Sequence, residues 1–175
     1  ATASNGAVGL YHIENLTPEA KELGDALIEE GAKVYIIDDA ELQRVKNEYP
    51  IMWKKPDGAP KLCFVGCPHM SLQQLKDWTV AVEQGLKESG HKKVLIPTVF
   101  TTAPAVKAEF EKTEYAERLK ATGVILSYIC PLMYMNNPLC KSMNVMTSSN
   151  KLRTYTTARY YTEAEILQKI TKGGK

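Results

Sequence analysis

The most informative run of this chain reads Leu62-Cys63-Phe64-Val65-Gly66-Cys67-Pro68-His69-Met70-Ser71. Its first four residues are apolar, as in a buried strand, and they are followed by a glycine, a thiol and the start of a helical pattern. In open parallel sheets, ligands bind outside the carboxyl ends of the strands, and a helix N-terminus there lowers the pKa of a nearby thiol. We therefore expect Cys67 to lie at such an edge beside a helix start, as a candidate thiolate.

Apolar runs alternate with amphipathic stretches along the whole chain, a pattern typical of a parallel α/β sheet. The predicted strands cover residues 7–13, 33–38, 61–65, 93–99, 123–128 and 143–146. The predicted helices begin at Thr17-Pro18-Glu19 and cover residues 39–47, 71–89, 104–121 and 162–170. At the start of the longest helix, Ser71 and Gln74 match a capping box. The pattern predicts a single three-layer α/β domain over residues 1–175, with a mainly parallel sheet flanked by helices.

Size and composition fit an ordinary globular protein of one domain, with 175 residues, 44% of them hydrophobic and 24% charged. The 22 basic and 20 acidic residues are mixed along the chain and leave a net charge of +2, which argues against a nucleic-acid partner. No apolar run approaches the roughly 18 residues of a membrane span, and no signal-peptide pattern opens the chain. We expect a cytoplasmic protein with no membrane partner.

The cysteines and the ends of the chain support two further expectations. In the cytoplasm, the four cysteines are expected to be reduced or metal-bound rather than paired in disulfides. The chain opens on Ala1 instead of methionine and ends in the linker-like run Thr171-Lys172-Gly173-Gly174-Lys175. We interpret it as an excised piece of a longer protein.

A second cysteine occupies the same position in the pattern as the first. Cys130-Pro131 follows the predicted strand at residues 123–128, just as Cys67-Pro68 follows residues 62–65. The polar run Thr147-Ser148-Ser149-Asn150-Lys151 follows the strand at residues 143–146. Two thiols, small hydroxyls and one ammonium at one edge of a parallel sheet suit a metal centre with an anionic substrate.

These blocks together resemble the aconitase X family. The resemblance rests on Gly66-Cys67-Pro68-His69 with Ser71, on Ala7-Val8-Gly9-Leu10-Tyr11-His12 leading to Thr17-Pro18-Glu19-Ala20, on the segment around Cys130-Pro131, and on Thr147 to Lys151 through Tyr155. The blocks come in the family's order and span nearly the whole chain. The resemblance implies an aconitase-like fold and one domain of the large subunit of an iron–sulfur hydro-lyase, in a family similar to mevalonate 5-phosphate dehydratases and cis-3-hydroxy-L-proline dehydratases.

The resemblance also implies roles for particular residues. Cys67 and Cys130 would be two ligands of the iron–sulfur cluster, and the third cysteine would come from outside this chain. The catalytic base, a serine of the small swivel domain, is also absent here, so we expect this piece to be inactive alone. Lys151 is the candidate partner of a substrate carboxylate or phosphate. Thr147, Ser149 and Ser71 would contact the same small hydroxy-acid or phosphorylated substrate, and His69 and Tyr155 would support them.

Several alternatives stay open at the level of sequence. Cys67 and Cys130 could be small buried apolar residues instead of ligands, and Cys63 is expected to be a core residue. A zinc site at Cys63 and Cys67 lacks a second ligand pair, and thiol redox chemistry lacks a Cys-x-x-Cys pair. No Gly-x-Gly-x-x-Gly motif supports a dinucleotide site. Residues 98–102 either line the site or form a turn. The competing function is a non-catalytic α/β module that binds a ligand or another subunit.

Overall fold

The computed structural model describes residues 6–174, so the terminal residues Ala1 and Lys175, to which the fragment interpretation refers, lie outside the described part. The chain divides into two compact units, Ala1–Pro50 and Ile51–Lys175. The sequence predicted one α/β domain over residues 1–175, whereas every strand of the described part belongs to the second unit. No helix within residues 6–174 has the length and apolar character that a membrane span requires.

In the first unit, the structure gives full bounds for α1 (Pro18–Leu23), α2 (Asp39–Asn47) and a 3₁₀ helix at Gly24–Leu27. The predicted strands at residues 7–13 and 33–38 are wrong, since neither segment is a strand in the structure. A strand needs a neighbour for its backbone hydrogen bonds, and residues 6–50 offer none. None of these residues is buried, and Val34 and Ile36 are 88% and 77% exposed.

The second unit is built on a five-stranded, fully parallel sheet. Its strands are β1 (Leu62–Met70), β2 (Thr98–Thr102), β3 (Ile125–Ser127), β4 (Val145–Thr147) and β5 (Arg159–Tyr160), in the spatial order β3-β2-β1-β4-β5. The chain runs outward from β1 through β2 to β3, and then returns to the other side of β1 with β4 and β5. The strand order therefore reverses between β1 and β4, which is where open α/β sheets bind their ligands.

Helices cover both faces of the sheet and complete the three layers that the sequence predicted. They are α3 (Leu72–Ser89), α4 (Pro104–Phe110), α5 (Glu114–Ala121), α6 (Pro131–Met135), α7 (Pro138–Lys141), α8 (Asn150–Tyr155) and α9 (Glu163–Thr171). Successive strand residues point to opposite faces. Cys63 and Val65 accordingly pack in one core cluster with residues of α3, α5 and α9, and Phe64 packs in another with residues of α6 and α8.

Two differences from the predicted elements have local causes. The predicted strand at residues 93–99 begins later, at Thr98, because Pro97 has no N–H to donate to a ladder. The predicted helix at residues 104–121 is two helices, because the Thr113 hydroxyl bonds back to the Phe110 carbonyl at 2.7 Å and ends the first one. The helices at residues 39–47, 71–89 and 162–170 are confirmed to within one residue.

Candidate functional site

Cys67 lies on a bulge of β1 at the carboxyl edge of the sheet. Val65 pairs with Phe100 of β2 and Met70 pairs with Thr102, so five residues along β1 correspond to only two along β2. Residues 66–69 lie opposite the single residue Thr101 and leave the ladder. Cys67 on this bulge is half-buried, and the next two residues, Pro68 and His69, are exposed. The bulge therefore presents the thiol and the imidazole at the edge where the sequence analysis expects a ligand.

The bulge begins at a position that only glycine can occupy. Gly66 has a φ of +109°, and a Cβ atom built on it would lie 2.2 Å from the backbone oxygen of Thr101 and 2.7 Å from its hydroxyl oxygen. The Thr101 hydroxyl donates to the Gly66 carbonyl at 2.6 Å, and the Thr102 hydroxyl donates to the Met70 carbonyl at 2.6 Å. Two threonines of β2 thus hold the two ends of the bulge.

The structure corrects the predicted relation between Cys67 and the following helix. Cys67 lies within β1, whereas α3 begins at Leu72. The predicted capping box is confirmed: the Ser71 hydroxyl accepts from the Gln74 N–H at 3.2 Å, and the Gln74 side chain accepts from the Ser71 N–H at 2.8 Å. The first turn of the helix is thus capped by its own residues. The thiol owes its place to the bulge rather than to a helix N-terminus.

Cys130 is exposed and occupies the N-cap position of α6, where its side chain makes no capping hydrogen bond. This helix is tied to the end of the sheet, because the Tyr134 hydroxyl bonds to the Ser127 hydroxyl at 2.8 Å and the Tyr134 ring stacks on Phe64 of β1 at 5.4 Å between centroids. Cys67 packs against the same apolar cluster as Leu132 and Tyr134 of this helix. The two cysteine corners therefore share one face and one edge of the domain.

The predicted polar segment follows β4, the neighbour of β1 across the point where the strand order reverses. Thr147 and Ser149 are almost fully buried, at 1% and 4% exposure. The Thr147 hydroxyl accepts from the Ser149 N–H at 3.1 Å, and the Ser149 hydroxyl caps α8 by accepting from the Leu152 N–H at 3.0 Å. Lys151 in the first turn of α8 is half-buried, and Tyr155 at its end is 52% exposed.

The other two cysteines, Cys63 and Cys140, have no predicted ligand role. Cys63 is completely buried, and burial raises the pKa of its thiol far above the ordinary range, which confirms that it is core. It packs on the opposite face of β1 from Cys67, so a zinc ion shared by the two is excluded. Cys140 lies in α7. Within residues 6–174, no three His, Cys, Asp or Glu side chains come together as a metal site.

Sequence reasoning missed the part played by residues 98–102. They form β2 itself, and the hydroxyls of Thr101 and Thr102 contact β1 at residues more than 30 positions away in the chain. The run of threonines was visible, but nothing local indicated which carbonyls they would meet. The Ser127–Tyr134 bond that ties α6 to β3 was likewise not predicted.

Residues 60–170 match the family model of the aconitase X third domain. The chain belongs to the aconitase X family. This confirms the resemblance drawn from the cysteine corners and the polar segment after β4.

Curated relatives of this aconitase X chain are considerably longer than it is. The phosphomevalonate dehydratase large subunit of Thermococcus kodakarensis is 30% identical over 131 residues, which cover 74% of this chain and 31% of that protein. The same subunit of Methanosarcina mazei is 36% identical over 76 residues, 43% of this chain and 17% of that protein. The chain thus spans about a third or less of the relatives it matches.

A solved structure supports the fold. The crystal structure of Thermococcus kodakaraensis aconitase X in its holo-form superimposes with a TM-score of 0.67 at 22% identity, over 96% of this chain and 41% of that one. The predicted aconitase-like α/β architecture is therefore confirmed.

Proposed function

We propose that this chain is one domain of the large subunit of an aconitase X-type dehydratase, a hydro-lyase, in which Cys67 and Cys130 are two ligands of an iron–sulfur cluster. The observation that carries the proposal is that Cys67, on β1 beside the reversal of strand order, packs against the same apolar cluster as Leu132 and Tyr134 of α6, the helix that Cys130 precedes. Both thiols are unpaired and at least partly accessible. Thiolates are the usual ligands of such clusters, so the donor chemistry fits.

Two cysteines are one too few for the cluster in this proposal. Three thiolates leave one iron of a four-iron cluster with an open position, so the third ligand is proposed to come from outside the described residues, which hold no third donor beside these two. The bound cluster would supply a Lewis acid for the hydroxyl group that leaves the substrate. We also propose that the base, a serine on the small swivel domain, lies outside this chain, and that the chain alone is inactive.

The remaining residues of the proposed site bind and orient the substrate. Lys151 would pair with a carboxylate or phosphate, because its ammonium group follows β4 at the reversal of strand order. The hydroxyls of Thr147 and Ser149 accept backbone hydrogen bonds and can each still donate one to a substrate oxygen. Ser71 and His69 at the bulge, with Tyr155 at the end of α8, complete the proposed set. The substrate would be a small anionic hydroxy-acid or a phosphorylated one, as the relatives' name suggests.

The proposal includes the partner domains and the cellular location of the protein. The partners would be the remaining aconitase X domains, including the swivel domain, because the curated relatives extend well beyond the matched region. A cytoplasmic location fits four free cysteines, which persist in reducing compartments. No nucleic-acid or membrane partner is part of the proposal.

The test uses the complete gene that encodes this chain, expressed without oxygen. We expect a brown protein whose iron, labile sulfide and visible absorbance are lost on Cys67→Ala or Cys130→Ala. Cys140→Ala is the matched control, because it removes a partly buried thiol of α7 that has no proposed ligand role. Full iron content in Cys67→Ala would refute the assignment.

A non-catalytic subunit-interface module is the second candidate. It is favoured by the exposed apolar side chains beside Cys130, since Tyr128 is 56% exposed and Met133 67% exposed. A colourless protein that binds its partner subunit equally well with and without Cys67 would favour this function over the dehydratase.

A further inference from the structure

The bulge that carries Cys67 is held at both ends by buried side chains of the neighbouring strand. Thr101 and Thr102 are both 0% exposed. The Thr101 hydroxyl donates to the Gly66 carbonyl and the Thr102 hydroxyl to the Met70 carbonyl, each at 2.6 Å. In a regular parallel ladder such carbonyls accept from backbone N–H groups. Where β1 leaves the ladder, the hydroxyls of two consecutive threonines supply hydrogen bonds instead.

The contact to Gly66 acts directly on the cysteine. The Gly66 carbonyl belongs to the peptide group whose nitrogen is the backbone nitrogen of Cys67. Any rotation of this peptide moves Cys67, and the Thr101 hydroxyl resists that rotation by holding the carbonyl oxygen. The absence of a side chain on Gly66 makes this approach possible, because a Cβ atom there would lie 2.2 Å from the Thr101 backbone oxygen.

We propose that Thr101 and Thr102 are positioning residues that fix the bulge at residues 66–69 and so direct the Cys67 thiol toward the cluster. The part that concerns the cluster rests on the proposed function. Ligand residues work best when supporting hydrogen bonds hold them in the bound geometry before the metal arrives. The pair of hydroxyls provides that support from β2, an interior strand paired on both sides, so the thiol is oriented in the chain even without a cluster.

The first experiment measures the reactivity of the thiol in the full chain without metal. The rate of alkylation of Cys67 by iodoacetamide is followed by peptide mass spectrometry in wild type, Thr101→Val and Thr102→Val. Valine keeps the branched shape and removes the hydroxyl. Loss of one hydrogen bond that closes the bulge is expected to change the Cys67 rate by about threefold to tenfold. Cys130, in the same sample, serves as the internal reference and is expected to keep its rate.

Two further variants separate positioning from general destabilisation. Thr101→Ser keeps the hydroxyl and is expected to restore the wild-type rate within about twofold. Thr98→Val is the matched control: Thr98 is 1% exposed on the same strand, but its hydroxyl bonds to Ile96, outside the bulge, at 2.8 Å. If Thr101→Val does not fold, Thr102→Val still tests the hydrogen bond at the Met70 end of the bulge. Equal Cys67 rates in Thr98→Val and in the folded bulge variants would overturn the proposal.

A second experiment distinguishes failure of this proposal from failure of the proposed function. Iron and labile sulfide are measured after anaerobic reconstitution of the complete gene product. A wild-type cluster that depends on Cys67, with alkylation unaffected by the threonine substitutions, would overturn the positioning role alone. If the wild type holds no cluster but Cys67 alkylation is altered in Thr101→Val, the proposed function and the cluster part of this proposal are overturned. The positioning of Cys67 by the two threonines would still be supported.

Discussion

Replacing Gly66 by alanine is the sharpest test of how the bulge is built. The residue has a φ of +109°, where an L side chain costs roughly 1–3 kcal/mol. The new Cβ atom would also lie 2.2 Å from the oxygen and 2.9 Å from the nitrogen of the Thr101 backbone. These atoms belong to β2, an interior strand that cannot move without breaking its ladders, so overpacking adds about 1–3 kcal/mol. The expected loss of unfolding free energy is therefore about 2–6 kcal/mol, a large part of a typical domain's stability.

Gly90→Ala is the matched control for this substitution. Gly90 also has a left-handed backbone, with a φ of +73°, but a Cβ atom there would meet nothing within 4 Å. Gly90→Ala therefore measures only the free-energy cost of placing an L residue in a left-handed backbone conformation, about 1–2 kcal/mol. Urea unfolding followed by tryptophan fluorescence reports on this unit, because both tryptophans, Trp53 and Trp78, are buried in it. If Gly66→Ala loses no more stability than Gly90→Ala, the close approach of the two backbones is refuted.

Three more outcomes are expected from other parts of the chain. Ser71→Ala should lower the unfolding free energy by about 1 kcal/mol in urea titrations through loss of the cap, and an unchanged midpoint would contradict the capping box. Iodoacetamide should label native Cys130 and spare buried Cys63, and labelling of Cys63 without unfolding would contradict its burial. Hydrogen bonds from Arg44, and to a lesser extent from Tyr35, hold the pKa of Glu41 at about 2. The ionised Glu41 carboxylate therefore stabilises the fold fully above the ordinary pKa of 4.5, and this contribution is lost as the pH falls toward 2. Carboxyl NMR titration should show Arg44→Met returning the midpoint toward 4.5, and a wild-type midpoint already at 4.5 would refute it.

Much of the fold of the second unit could be predicted from local pattern. The helix at residues 71–89 carries its apolar stripe and its capping box in the sequence, and both are confirmed. The strands near residues 61–65, 123–128 and 143–146 are apolar runs flanked by turn residues, and they are confirmed with shifts of a few residues. The runs at residues 7–13 and 33–38 look equally strand-like but pair with nothing in the described chain. Apolar pattern reports the capacity to form a strand, and a partner strand must supply the hydrogen bonds.

The candidate site was predictable only in outline. The repeated Cys-Pro corner after an apolar run predicted that Cys67 and Cys130 would reach one edge, and the structure packs Cys67 against the same apolar cluster as two residues of α6, the helix that Cys130 precedes. The predicted position of Cys67 at a helix start was wrong, because Cys67 lies on the bulge of β1 and α3 begins only at Leu72. A bulge cannot be recognised from one strand alone, because it is defined by the register against the neighbouring strand.

The sequence by itself determined the alternation of strands and helices, the caps and the family, because these depend on side chains that are near one another in the chain. Only the tertiary structure decided the strand order, the bulge at residues 66–69 and the contacts of Thr101 and Thr102 with β1. The bulge and the threonine contacts join segments more than 30 residues apart, and the geometry of all three features depends on the register that the strands adopt around a shared core. A local pattern carries no information about that register until the whole sheet has formed.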